Sequence, residues 1–223
     1  MFKTKWIAGL ALGALLAAGG AHAQKKTVAV SIPAADHGWT AGVVYHAQAA
    51  AKEINKAFPG IEVIVKTSPS ASAQVSALED LSAGRNLAAL VILPFSSEEL
   101  SGPVKSVKSK GAFVTVVDRG LNDPSIQDLY VAGDNIAVGR NTAKFLVDKL
   151  GGKGNLVVLR GIPTVIDEER IKGFQDAIKG TELKVLDIQY ANWNSDQAFK
   201  LMQDYLAKYP KIDAVWANDD DML

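Results

Sequence analysis

The chain has 223 residues, 48% of them hydrophobic and 22% charged, with 24 basic side chains, 24 acidic ones and no cysteine. Balanced charge leaves no electrostatic footprint for nucleic acid or an anionic membrane. The missing thiols exclude disulfides, thiolate metal sites and a cysteine-borne lipid anchor.

Lys3 and Lys5 precede an apolar run over 7–18, and Ala21-His22-Ala23 is an A-x-A cleavage signal. This pattern predicts a secretory signal peptide over 1–23. Its apolar run is too short to cross a bilayer, which takes about twenty residues. Gln24 is the expected mature N-terminus, and export without an anchor points to the periplasm of a Gram-negative bacterium, with full secretion as the alternative. The remaining length, about 200 residues, suits one large or two small domains.

A short apolar strand, Ala29-Val30-Ser31-Ile32-Pro33, then runs into Ala34-Ala35-Asp36-His37-Gly38-Trp39-Thr40. In a parallel α/β sheet the ligand sits over loops at the carboxyl ends of strands. Asp36 can accept hydrogen bonds from hydroxyls, and Trp39 can offer an apolar face to C–H groups, a set suited to a neutral polyhydroxylated ligand. The same residues also describe a plain polar turn with one half-buried Trp.

The spacing predicts a helix over 41–58, with Val43, Val44, Ala47, Ala50, Ala51, Ile54 and Phe58 on one face, stopped by Pro59-Gly60. A strand follows over 61–65, a helix over 71–83 and a continuous apolar strand over 87–93, the last as expected of a buried parallel strand. Ser97–Ser109 reads as a helix with Ser96 or Ser97 as cap; Pro103 is tolerable only in or near its first turn. The strand Phe113–Val117 ends in Asp118-Arg119-Gly120. This βαβαβαβ order means a parallel sheet with helices on both faces.

The stretch 121–128 breaks the pattern with the turn Asn122-Asp123-Pro124, and 129–132 is short and extended. Gly133-Asp134-Asn135 leads into a helix over 136–150, capped by Asp134 or Asn135 and ended by Gly151-Gly152-Lys153-Gly154. A second series starts there: strand 155–159, helix Val165–Ile178, strand 183–188, helix 195–209 and strand Ala214–Ala217. The expected organisation is two α/β lobes, 24–132 and 133–223, with the crossover near Ala132-Gly133.

In their order and spacing, these pieces resemble the periplasmic sugar-binding proteins of the ribose-binding type, the solute receptors of ABC transporters. The resemblance is carried by Val30-Ser31-Ile32-Pro33 with the Asp36–Trp39 loop, Val117-Asp118-Arg119, and Gly133-Asp134-Asn135 with Gly139. It continues in Glu169-Arg170-Ile171-Lys172-Gly173-Phe174 and in Val215-Trp216-Ala217-Asn218-Asp219-Asp220-Asp221-Met222.

The resemblance implies a type I periplasmic binding protein: two lobes closing on one sugar or polyol, no cofactor or metal, no catalysis, a monomer, and an ABC permease as partner, with a chemoreceptor as a further partner. Carried over by position, Asp36, Trp39, Asp118 and Arg119 contact the ligand from the first lobe, and Arg170, Trp193 and Asp219 from the second. Neighbouring Asp and Arg satisfy both roles of a hydroxyl, and the Arg fork can bridge adjacent oxygens. Trp39 and Trp193 would sandwich the ligand from opposite lobes. Asp118 is expected to pair with Arg119 or Arg170, because an unpaired buried charge costs several kcal/mol.

Two departures bear on the ligand. The ribose type places two adjacent aromatics after an Asn-Pro step where this chain has Asp36-His37-Gly38-Trp39, and an Asn where it has Asp219. Fewer aromatic faces and more carboxylates tilt the expectation from ribose toward another pentose or an acyclic polyol. The sequence also stops at Leu223, where the family continues, so the second lobe is expected to be incomplete through C-terminal truncation. Trp216 reads as core or hinge, Asp220 and Asp221 as the first turn of a further helix, and Arg85 and Arg140 as structural or exposed. His37 and His46, the histidines after the signal peptide, make a weak metal case without any cysteine.

Two other classes share parts of this pattern. A glycoside hydrolase could use Asp36 and Asp118 as paired carboxylates, but no G-x-S-x-G elbow, H-E-x-x-H pair or P-loop occurs. A periplasmic sugar sensor acting through a chemoreceptor or sensor kinase would share the fold.

Overall fold

The computed structural model describes residues 25–35, 37–83 and 87–223. The signal peptide expected over 1–23, together with Asp36 and Arg85, lies outside the described residues.

The first lobe runs β1 (Lys26–Pro33), α1 (Gly38–Ala57), β2 (Ile61–Ser68), α2 (Ala71–Ser82), β3 (Leu87–Ile92), α3 (Ser97–Ser109), β4 (Phe113–Val117) and β5 (Leu129–Val131). Its strands form one parallel sheet in the order β2-β1-β3-β4-β5. The pleat sends Ala29, Leu90, Ile92, Val114 and Val116 to one face, where they are sealed by Leu78 and Leu81 of α2 and Leu100, Val104 and Val107 of α3. On the opposite face Val30, Val91 and Val117 are only half-buried beside α1.

The second lobe runs α4 (Asn135–Leu150), β6 (Lys153–Arg160), α5 (Val165–Ile178), β7 (Glu182–Tyr190), α6 (Ser195–Lys208) and β8 (Ala214–Ala217). Its sheet is parallel, in the order β7-β6-β8. Central β6 is buried on both sides. Leu156 and Val158 face Phe174 and Trp216, while Val157 and Leu159 face Ala198, Tyr205 and Met222. This is why 155–159 reads as an unbroken apolar strand.

The helix termini follow local chemistry. Ser70, Ser96, Asp134 and Asn194 cap α2, α3, α4 and α6 by accepting a backbone N–H through their side chains. Gly151 ends α4 in the left-handed conformation, at φ 63°.

Three expectations need correction. Helix α1 begins at Gly38 rather than residue 41, because Thr40 Oγ1 accepts from the His37 amide at 3.2 Å and donates to the His37 carbonyl at 3.0 Å. The apolar face predicted for α1 is thinly covered: Thr40 and Ala51 are its buried residues, and Phe58 beyond its end is exposed. Pro103 lies in the second turn of α3, beyond the N-terminal positions where a missing N–H costs nothing.

Helices α4 and α5 pack backbone to backbone. A Cβ added to Gly139 would stand 1.9 Å from the Arg170 carbonyl oxygen, and one added to Gly173 would stand 2.1 Å from that of Ile136. Only hydrogen fits there. The contact brings Arg170 of α5 beside Asn135 at the start of α4, with Arg170 Nε donating to Asn135 Oδ1 at 3.0 Å.

Candidate functional site between the two sheets

The carboxyl ends of β1, β4, β7 and β8 all open toward one cavity of about 650 Å³ between the sheets. Trp39, Asp118, Arg119, Arg170, Trp193 and Asp219 line it together. Trp39 stands in the first turn of α1, Asp118 and Arg119 follow β4, Trp193 follows β7, and Asp219 follows β8.

Asp118 enters the cavity through a left-handed backbone turn, φ 59°. That conformation is uncommon outside glycine but tolerated by Asp. The turn is held by the Asp118 amide donating to the Val131 carbonyl at 2.8 Å and by Tyr130 Oη donating to the Asp118 carbonyl at 2.6 Å. Its carboxylate accepts from Trp39 Nε1 at 3.2 Å, which leaves the Trp39 ring more than half exposed to the cavity and solvent.

Burial pushes the Asp118 carboxyl up from its ordinary range, against the pull of Arg119, Arg170 and the Trp39 hydrogen bond. The pairing expected for Asp118 takes another form. Among the described residues no cation lies within 4.0 Å of it, and Arg170 instead approaches Asp219, Nη1 to Oδ2, at 3.5 Å. Asp219 is likewise pushed up by burial, opposed by the Asp221 amide and Arg170.

Arg119 is 2% exposed, with its guanidinium 5.0 Å from the ring centroid of Trp193 and Nη1 3.4 Å from the Phe95 carbonyl. Trp193 itself is 5% exposed and sits at φ 52°, directly after Asn192 at φ 55°. Two left-handed non-glycine residues in sequence cost of order 1 kcal/mol or more each, and they fold the indole back against Gly161, where a Cβ would stand 2.1 Å from Trp193 Nε1. A sandwich of Trp39 and Trp193 is therefore not what the cavity presents. Trp39 is more than half exposed, while Trp193 is buried with the Arg119 guanidinium already over its ring.

Several lining groups escaped the sequence reading. Asp220 and Asp221 do open a helical turn, the 3-10 turn Asp220–Met222 capped by the Asp219 carboxylate, but both also line the cavity. His37 lines it too, with Nδ1 3.6 Å from Asp221 Oδ2 across the two lobes. Asn135 and Asn218 anchor Arg170: its Nε donates to Asn135, and its Nη1 donates to the Asn218 carbonyl at 3.0 Å. Both asparagines belong to motifs that carry the family resemblance, Gly133-Asp134-Asn135 and Ala217-Asn218-Asp219, but a neutral amide carries no mark of its partners in sequence.

Trp216 is core, packed on Phe174 and donating to Thr142 Oγ1 at 2.9 Å. Arg140 and His46 are exposed. Among the described residues no group of three or more His, Cys, Asp or Glu side chains is placed to hold a metal ion, and no helix is long and apolar enough to cross a membrane.

Residues 28–223 match the family model described as "Periplasmic binding protein domain". The chain belongs to that family, with the α/β, two-lobed, parallel-sheet build of a type I periplasmic binding protein. It is 34% identical over 154 residues to a xylitol-binding protein of Mycolicibacterium smegmatis, covering 68% of this chain and 44% of that one. To the ribose import binding protein of Bacillus subtilis it is 33% identical over 161 residues, covering 72% and 52%. Among solved structures, a galactofuranose binding protein superposes with a TM-score of 0.78 at 25% identity, over 88% of this chain and 68% of that one. The chain thus spans about half the length of these two curated relatives, and each of the three is named as a binding protein rather than an enzyme.

Proposed function

We propose that this chain captures a neutral monosaccharide of pentose type or an acyclic polyol between its lobes and delivers it to an ABC permease. The observation that carries the reading is the convergence of Trp39, Asp118 and Arg119 from one lobe with Arg170, Trp193 and Asp219 from the other on a single cavity. Its volume falls within the usual range for small-molecule sites, about 300–1,000 Å³. Asp36 joins this set by its place in the sequence.

The chemistry suits a polyol. Asp118 and Asp219 accept from hydroxyls, Arg119 and Arg170 donate to the oxygens, and the exposed ring of Trp39 covers C–H groups. Asp118 accepts from Trp39 Nε1 and Asp219 from the Asp221 amide and Arg170 Nη1, and a carboxylate with two oxygens can accept further hydrogen bonds from ligand hydroxyls. The division between lobes falls at 132/133, and closure about that crossover traps the ligand in the form a permease recognises. The protein acts as a monomer in the periplasm after loss of residues 1–23, and the event is capture, without a chemical step.

A thermal-shift screen against pentoses, hexoses and acyclic polyols tests this. At one hundred times its dissociation constant a ligand stabilises the folded state by about 2.7 kcal/mol, a rise of about 5–11 °C for a chain of this size. One class of pentose or polyol should give that rise, and Asp118→Ala and Trp39→Ala should abolish it. A folded chain that no sugar or polyol stabilises would refute the proposal.

A further inference from the structure

Behind the cavity lies a polar chain, centred on the buried Asp167, that does not line it. Asp167, fully buried on α5, is absent from the cavity wall. Its Oδ1 accepts from the Gly161 amide at 2.8 Å and from Asn218 Nδ2 at 2.8 Å, and its Oδ2 accepts from Arg160 Nε at 2.9 Å. Arg160 Nη2 bonds to Asp167 and to Glu168.

The carboxylate can only accept, so it dictates which end of the Asn218 amide faces it. The amide oxygen is thereby turned the other way, toward Trp193 Nε1 at 3.2 Å and Arg170 Nη1 at 3.4 Å, two groups that can only donate. Flipping the amide would set its NH₂ against two donors and its oxygen against a carboxylate. One orientation survives.

We propose that Asp167 is a positioning residue for the binding site: through the amide of Asn218 it fixes the indole of Trp193 and the guanidinium of Arg170 where the ligand meets them. This rests on the reading given under Proposed function. A residue serving only as the charge partner of Arg160 would behave differently, and the two roles fall on different oxygens. The Oδ1 position holds the link to Gly161 and Asn218, whereas the Oδ2 position holds the link to Arg160.

The experiment compares Asp167→Asn with Asp167→Ala in the whole chain. Titration with xylitol and with D-ribose gives affinity, urea unfolding gives stability, and the ¹H–¹⁵N indole signal of Trp193, assigned by its loss in Trp193→Phe, reports the hydrogen bond to Asn218. Asp167→Asn gives up the charge and turns its NH₂ toward Arg160, which can swing to its second partner Glu168, so the oxygen stays with the fixed Gly161 amide and Asn218; the variant should leave the indole signal in place and hold affinity within about threefold. Asp167→Ala should shift that signal, speed its exchange with solvent and weaken binding about five- to thirtyfold, the factor for a buried hydrogen-bonding group left unpaired.

If Asp167→Ala does not fold, Asp167→Ser is read in its place and should move the same signal. An unmoved indole signal in the Ala or Ser variant overturns the proposal, as does equal loss of affinity in Asp167→Asn and Asp167→Ala. Should the unaltered chain bind neither probe, the functional reading fails for those ligands, and the indole signal alone decides whether Asp167 positions Trp193.

Discussion

Substituting Gly139 by alanine tests whether the packing of α4 on α5 builds the site. The added Cβ would meet the Arg170 carbonyl oxygen at 1.9 Å, where 3.4 Å is ordinary contact. That oxygen belongs to helix backbone and cannot swing aside, so the helices must part by about 1.5 Å, an overpacking that costs about 3 kcal/mol or more. At about 2–4 °C per kcal/mol for a chain of this length, the melting temperature should fall by about 6–12 °C. Arg170 moves with the displaced backbone, so its 3.0 Å bond to Asn135 stretches and ligand affinity falls with stability.

Gly42, inside α1 with nothing within 4 Å of its added Cβ, is the control. There the same substitution should stabilise by about 0.5–1 kcal/mol, because alanine removes the entropy cost of a helical glycine. Urea unfolding followed by circular dichroism measures both variants. A Gly139→Ala chain as stable as the parent, or the same sign of effect at both glycines, would refute the reasoning.

Binding should weaken as the pH is lowered. Asp118 and Asp219 are both held above the ordinary 3.8 by burial, and hydroxyl donors favour the charged form, so ligand binding releases protons. Calorimetric affinities for the stabilising ligand should therefore fall through the carboxylate range, and Asp118→Asn should flatten the slope; a pH-independent affinity would contradict the assignment. In the empty chain the sign reverses, since a raised carboxyl adds stability at low pH that is lost as the pH rises through its folded value. On the surface, Lys208, followed by Tyr209, holds Asp187 down to about 2. Asp187→Asn should cost no more than ~1 kcal/mol; the loss should be present above pH 3.8 and vanish as the pH falls through about 2, as read by urea midpoints at stepped pH.

The parts of this fold legible in sequence are those where one local cause suffices. The apolar run at Leu156–Leu159 has helices on both faces of its strand, and Ser96 followed by Glu98 and Glu99 marks the start of α3 with a cap and a favourable dipole. Strand ends are legible for the same reason, and the residues chosen there, from Trp39 to Asp219, line one cavity. What stayed hidden depends on long-range partners. Trp193 reads as an exposed loop residue until Arg119 and Asn218, far away in the chain, close over it. Asp118 reads as the partner of an arginine until its backbone turns left-handed and presents it to Trp39. Thr40 reads as part of a loop until its hydroxyl pairs with both backbone groups of His37.

The order of strands in the two sheets bears on how the chain is made. In β2-β1-β3-β4-β5, each strand emerging from the ribosome finds a free edge already waiting: β2 and β3 on either side of β1, then β4 on β3 and β5 on β4. The second sheet repeats this, with β7 and β8 taking opposite edges of β6. Among the described strands, none must be threaded between two that are already paired. Domains generally fold as units, N-terminal first, during synthesis at about 5–20 residues per second, so the first sheet can close its core before the last strand of the second has been translated.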